Sequence, residues 1–267
     1  MFSSKKYYFL GGLPRSGNTA IASILNQNSK IQVSANSFVS TIFCHILDQS
    51  ENMAYKNFPD EKSIGDCASG IFNSYYKSWK GKIIIDRSNW GTPGNLRILE
   101  QYCPNEIKII CPVRSVNEIL ASFIVKYKES GRIDIKNKFE VEKVCENLME
   151  NNGIITRSVW SVNNLAKKEY KDKVHFIHYN NFCTDPKKEI DLIYDFLKIK
   201  KFNHNFTNIK EYKVNGVSYN DDILGCKLHN VKTNVVKTEH EISDILPQSI
   251  IKRYESVTFE NLKKLTS

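Results

Sequence analysis

Apolar positions along the chain follow two rhythms. Short apolar runs occur at Tyr7–Leu10, Ile31–Val33, Lys82–Ile85 ahead of Asp86, Ile107–Cys111 and Val174–Tyr179. A short unbroken run bounded by turn residues predicts a strand with both faces buried. Between the runs the spacing becomes helical. In Thr19–Asn26, residues Ile21, Ile24 and Leu25 fall on one helix face. Phe38–Leu47, Ile64–Trp79, Asn95–Tyr102 and Val116–Glu129 also read as helices, as does Glu140–Lys168 with Gly153 as a candidate break. Ser115 and Glu118 make the S-x-x-E capping box of the helix that starts at Val116. Asp185 and Pro186 supply N-cap and N1 of a helix carrying Ile190, Ile193 and Leu197. Residues 200–235 keep no period, and a stretch of that length is functional or disordered. Pro247–Leu265 returns to helix. Strands separated by helices predict an α/β fold with a central, mostly parallel sheet covered on both faces. No repeat or linker divides the chain, so residues 1–267 read as a single domain, with 200–235 as an irregular covering segment.

Charge narrows the chemistry. The 267 residues include 38 Lys plus Arg against 29 Asp plus Glu, a net charge of +9. That balance favours an anionic ligand, although a Lys-rich solvated surface produces the same number. Nucleic acid is disfavoured, because the sequence carries no helix-turn-helix, zinc-finger or RNP pattern. Seven cysteines occur without a C-x-x-C pair, which suits reduced thiols and a cytoplasmic protein and gives no metal site. The apolar run after Lys6 is too short for a signal peptide, and no stretch approaches the roughly 18 apolar residues of a membrane span.

The first strand leads into Gly12-Leu13-Pro14-Arg15-Ser16-Gly17-Asn18-Thr19 and then a helix. Strand, Gly-rich loop and helix form a phosphate cradle, because backbone N–H groups and the helix dipole point at one anion. Against G-x-x-x-x-G-K-[ST] one fixed position departs: Asn18 replaces the lysine. That loss argues against a P-loop kinase, even though Ile83–Asp86 looks like a Walker B strand. Arg15 offers a cation from another loop position, and Asn18 retains an amide donor.

Pro14-Arg15-Ser16-Gly17-Asn18-Thr19 resembles the phosphosulfate loop P-[RK]-S-G-T-T of sulfotransferases that use 3′-phosphoadenosine 5′-phosphosulfate (PAPS). The resemblance implies that Arg15, Ser16, Gly17, Asn18 and Thr19 hold the 5′-phosphosulfate. It implies a clamp on the 3′-phosphate from Arg114, after a strand, and Ser122, eight residues further on. Lys126 matches a basic position of some tyrosylprotein sulfotransferases. Ile83–Ser88 is similar to a strand ending in D-K-S, which places Arg87 where relatives hold a lysine near the sulfuryl group. Tyr179-Asn180-Asn181-Phe182 with Asp185-Pro186 is similar to Y-E-D-L…D-P, whose Tyr lies by the nucleotide. Phe202–Phe206 and Leu228–Lys232 look like the tail of a bacterial, tyrosylprotein-like branch, and Val235-Val236-Lys237 resembles a V-I-K whose Lys reaches PAPS. The likeness runs from about residue 7 to about residue 240.

The implied activity is metal-independent, in-line sulfuryl transfer from PAPS to a hydroxyl, leaving 3′-phosphoadenosine 5′-phosphate (PAP). Arg15 and Arg87 would stabilise the transferring group. The base is not where relatives have it: the position of their Glu is Asn36. Asp86, His204 and His229 remain candidates, with His229 favoured and oriented by Asp221 or Asp222; His45, His175, His178 and His240 offer less. Asp86 has a second reading as a structural acid that orients Arg87. A non-catalytic PAP-binding or PAPS-binding module is the other open reading. The acceptor hydroxyl is not named by any motif.

Overall fold

The computed structural model describes residues 5–49, 51–210, 213–237 and 241–257. Five parallel strands form one sheet: β1 (Lys6–Leu10), β2 (Ile31–Val33), β3 (Ile83–Arg87), β4 (Ile109–Val113) and β5 (Val174–His178). Their order is β2-β3-β1-β4-β5, so β1 lies at the centre. Parallel pairing requires crossovers, and helices supply them: α1 (Asn18–Leu25), α2 (Val39–Leu47), α3 (Met53–Asn57), α4 (Glu61–Tyr75), α5 (Pro93–Tyr102), α6 (Val116–Glu129), α7 (Lys138–Met149) and α8 (Ile154–Leu165), while α9 (Tyr179–Thr184) and α10 (Pro186–Leu197) follow β5. A hairpin of β6 (Lys213–Val214) and β7 (Val217–Ser218), a 3-10 turn at Asp221–Leu224, α11 (Ile242–Ile245) and α12 (Gln248–Tyr254) complete the described elements. His240 and the part of the expected last helix from residue 258 onward lie outside the described residues.

Strand alternation sorts the core into two layers. Tyr7, Phe9, Ile84, Ile109 and Cys111 join α2, α4, α5, α6 and α8 on one face. Tyr8, Leu10, Ile85, Ile110 and Ile177 join α1 and α10 on the other. Both faces are covered, which is why the strands read as continuous apolar runs. The helix over Val116–Glu129 has the bounds that the sequence predicts, but its box does not close. Ser115 is the N-cap without a side-chain hydrogen bond, and Glu118 turns to Arg114, 3.8 Å away. The long helix does break at Gly153, where a Cβ would lie 2.4 Å from the Leu148 carbonyl oxygen. Asp185 caps α10 as expected, accepting from the Lys188 N–H at 2.9 Å. Among its described residues, segment 200–235 is irregular apart from the hairpin and the 3-10 turn.

Candidate active site

The C-terminal ends of the strands build a cavity of about 410 Å³, where parallel α/β sheets place their ligands. Its floor is the loop from β1 to α1. Gly12 must lack a side chain, since a Cβ would stand 2.2 Å from the Pro112 carbonyl oxygen at the end of β4. Arg15 and Gly17 both take positive φ, at 58° and 88°. Gly17 caps α1 with no side-chain acceptor, so the orphan N–H groups of the first turn depend on a ligand or solvent.

The two anion motifs meet as one site. Arg15 Nε donates to Ser122 Oγ at 3.1 Å, and Arg114 Nη1 donates to the Arg15 carbonyl oxygen at 3.0 Å. Arg114 also lies over the Tyr179 ring, 3.9 Å from its centroid. Its Nε is buried without a hydrogen bond among the described residues, facing the Glu118 carboxylate at 3.8 Å, beyond hydrogen-bond reach. A buried donor without a hydrogen bond is costly, and a closer anion would satisfy it. Arg87 enters from the end of β3, donating to Thr19 Oγ1 at 3.3 Å and to the Tyr219 hydroxyl. Three guanidiniums thus line one cavity with Asn18, Thr19, Ser122 and Tyr179. Burial, and then the Arg114 charge, push Arg15 below the ordinary guanidinium value. It stays protonated, so the concentrated charge is a site for an anion.

The irregular segment covers this floor. Arg15 Nη1 donates to the Leu228 carbonyl oxygen, which fixes the residue before His229. His229 lines the cavity. Its Nδ1 lies 2.6 Å from Asp221 Oδ1, and its backbone N–H donates to Asp221 Oδ2 at 2.8 Å. A carboxylate on Nδ1 selects the tautomer with the proton there, leaving Nε2 as the basic nitrogen. Burial lowers the His229 pKa against the pull of the Asp221 hydrogen bond, and the Arg87 and Arg15 charges lower it further. Burial would raise the Asp221 carboxyl, but its bonds from His229 outweigh that and hold it below its ordinary value. A neutral imidazole oriented by an ionised carboxylate has the form of a general base. Asn36 also lines the cavity, so the position that the sequence resemblance matches to a Glu is beside the site but carries an amide.

Four sequence expectations need correction. Asp86 is fully buried on the opposite side of β3 from the cavity, accepting from Trp90 Nε1 at 2.7 Å and from the Tyr76 hydroxyl. Both carboxylate oxygens are engaged, and successive strand residues face opposite ways, so it neither serves as base nor orients Arg87. His204 is buried against α10, with Nε2 2.9 Å from the Tyr194 hydroxyl, away from the cavity. Asn18 spends its amide on the Leu13 carbonyl oxygen at 2.7 Å, so it closes the loop rather than reaching an anion with its side chain. Lys126 pairs with Glu129 at 2.6 Å and borders a neighbouring groove beside Asp222 and Lys227. Lys237 is exposed just beyond Val235 and Val236, which line the cavity, and its charge acts on Cys183 inside it. His45 is exposed on α2. The sequence reading missed Tyr219, which belongs to no motif.

Among the described residues no cluster of acidic, His and Cys side chains could hold a metal ion, and no helix is long and apolar enough to cross a membrane. The seven cysteines are free thiols. No curated protein matches the chain. Solved structures do. A mouse sulfotransferase, SULT7A1, complexed with PAP, superposes with a TM-score of 0.56 at 13% identity, over 99% of this chain and 90% of that one. The sulfotransferase domain of a Synechococcus PCC 7002 olefin synthase gives 0.52 at 15% identity, over 98% and 93%. A sulfotransferase from Alicyclobacillus acidocaldarius gives 0.51 at 15% identity, over 75% and 84%. These likenesses establish the fold. The sulfotransferase domain family itself matches residues 5–264, nearly the whole length, and the chain therefore belongs to that family.

Proposed function

We propose that this chain is a single-domain, cytoplasmic PAPS-dependent sulfotransferase in which His229 removes the proton of a hydroxyl acceptor. The observation that carries the reading is the Asp221–His229 pair set over a cavity holding Arg15, Arg87 and Arg114. Family membership supplies the reaction class, and the PAP in the mouse relative supports the same nucleotide here. The free cysteines fit a reducing compartment.

Each residue has a task in the reaction. The N–H groups of Ser16 to Thr19 bind the 5′-phosphosulfate at the start of α1. Arg114, backed by Tyr179, reads the 3′-phosphate with Ser122. Arg15 and Arg87 concentrate positive charge where the equatorial sulfuryl oxygens and the leaving phosphate oxygen carry negative charge. His229 Nε2 accepts the acceptor proton, and Asp221 stabilises the imidazolium that results. PAPS supplies the sulfuryl group, and its phosphate leaves as PAP. Fixed guanidiniums and dipoles do the work that Mg²⁺ does in P-loop kinases. Asn18 leaves the loop without the kinase lysine, which sets the kinase reading aside.

Calorimetry tests the nucleotide assignment. PAP binds tightly in EDTA, and Arg114→Ala weakens it by about 1.5–3 kcal/mol, the range for a charge-assisted bond. Equal affinity for PAPS and for adenosine 5′-phosphosulfate would mean that the 3′-phosphate is unread, and the assignment would fail.

A further inference from the structure

Tyr219 touches both halves of the proposed machinery. It lies between β7 and the 3-10 turn that carries Asp221. Its ring stacks on the His229 imidazole with centroids 3.9 Å apart and planes 2° from parallel. Its hydroxyl accepts from Arg87 Nη1 and is hydrogen-bonded to Thr19. Thr19 Oγ1 accepts from the same Arg87 nitrogen at 3.3 Å. One side chain therefore joins the phosphate loop, the end of β3 and the covering segment.

We propose that Tyr219 is a positioning residue: its hydroxyl holds the Arg87 guanidinium beside His229, so that the sulfuryl-directed cation and the proton acceptor keep one fixed spacing. The proposal rests on the roles given above to Arg87 and His229. Arginine carries a long stem with many rotamers, and a charge aimed at a transition state is effective only if it is already in place. Two hydroxyls on one guanidinium nitrogen supply that fixation. The stacked ring carries the constraint across to the imidazole.

The arrangement has an electrostatic consequence. The charged groups acting on His229 are Asp221 from its own covering segment, Arg87 from β3 and Arg15 from the phosphate loop. Asp221 favours the imidazolium, and the two arginines favour neutral imidazole. Loosening Arg87 removes part of the second effect, so His229 then protonates at higher pH.

Tyr219→Phe keeps the ring and its stack and removes only the hydroxyl. His229 can be followed by NMR titration of the full chain, its ring signals assigned by their loss in His229→Ala. In Tyr219→Phe the His229 pKa rises by roughly half a unit, the scale of a displaced charge in a half-buried site. PAP affinity stays within about twofold, while kcat for the best acceptor of labelled PAPS falls about tenfold or more. Arg87→Gln raises the His229 pKa as well, and adding Tyr219→Phe to it produces no further rise. An unchanged pKa and kcat in Tyr219→Phe would overturn the inference. So would a pKa rise that persists undiminished in the Arg87→Gln background, since the hydroxyl would then act on His229 without Arg87. Full turnover in His229→Ala would instead defeat the base assignment, and the titrations would still decide whether Tyr219 holds Arg87 beside this imidazole.

Discussion

His229→Ala will lower kcat by about a hundredfold or more while leaving PAP affinity nearly unchanged. The imidazole lines the cavity but is not part of the guanidinium cluster to which the proposal gives the nucleotide, so its loss is expected to fall on the proton transfer. The pH dependence has a definite sign. With His229 as the proposed base, neutral imidazole is the active form, and burial with the Arg87 and Arg15 charges holds its pKa below the ordinary histidine value. Wild-type turnover is therefore full at neutral pH and declines only as pH falls through that lowered pKa. In His229→Ala this acidic limb disappears along with most of the rate. Stopped-assay profiles of kcat for the two proteins make the comparison. A mutant that keeps wild-type turnover and its acidic limb would show that the proton goes to solvent or to the substrate itself.

Arg15→Ala will lower kcat by roughly a hundredfold as well, and by a larger factor than it weakens PAP. PAP lacks the sulfuryl group, so an interaction made with that group is invisible in PAP binding. The structure adds a second reason. Arg15 holds the Leu228 carbonyl oxygen, and its removal frees the segment that presents His229. It also bonds Ser122, so some loss of PAP affinity is expected, about tenfold at most. Parallel calorimetry and kinetics separate the effects. Equal losses in PAP affinity and in turnover would make Arg15 a ground-state binder only.

Much of the architecture was legible because it depends on local pattern. Both strand faces are buried, and the runs at Tyr7–Leu10 and Ile83–Ile85 say so directly. Short elements were less visible. Tyr179–Thr184 forms a helix with few strong helix formers, and its docking beside β5 decides its conformation. Phosphate-loop and clamp residues were legible only through the family resemblance, which matches Arg114, just after β4, and Ser122, two turns into the next helix. That Arg15 and Ser122 share a hydrogen bond could not be read, since 107 residues separate them.

The proton acceptor shows where sequence reasoning loses force. Strand alternation already separated Asp86 from Arg87, because Asp86 shares the face of Ile84, buried in the helix-covered core. Following that alternation would have removed Asp86 from the candidates. His204 and His229 are alike in sequence texture, each in an irregular polar stretch. Only tertiary packing sends one against Tyr194 and the other to Asp221 and the cavity. Tyr219 had no signal at all, since a lone Tyr after a hairpin has no pattern until its neighbours are known.

The most direct test is transfer itself. Purified protein is incubated in EDTA with radiolabelled PAPS and a broad panel of phenols, alcohols, sugars and tyrosine peptides. Label should move to at least one hydroxyl compound, with PAP appearing in equal amount, and the transfer should be lost in His229→Ala and Arg15→Ala. Tight PAPS binding with no label transferred to any member of the panel would contradict catalysis and leave a nucleotide-binding module in its place.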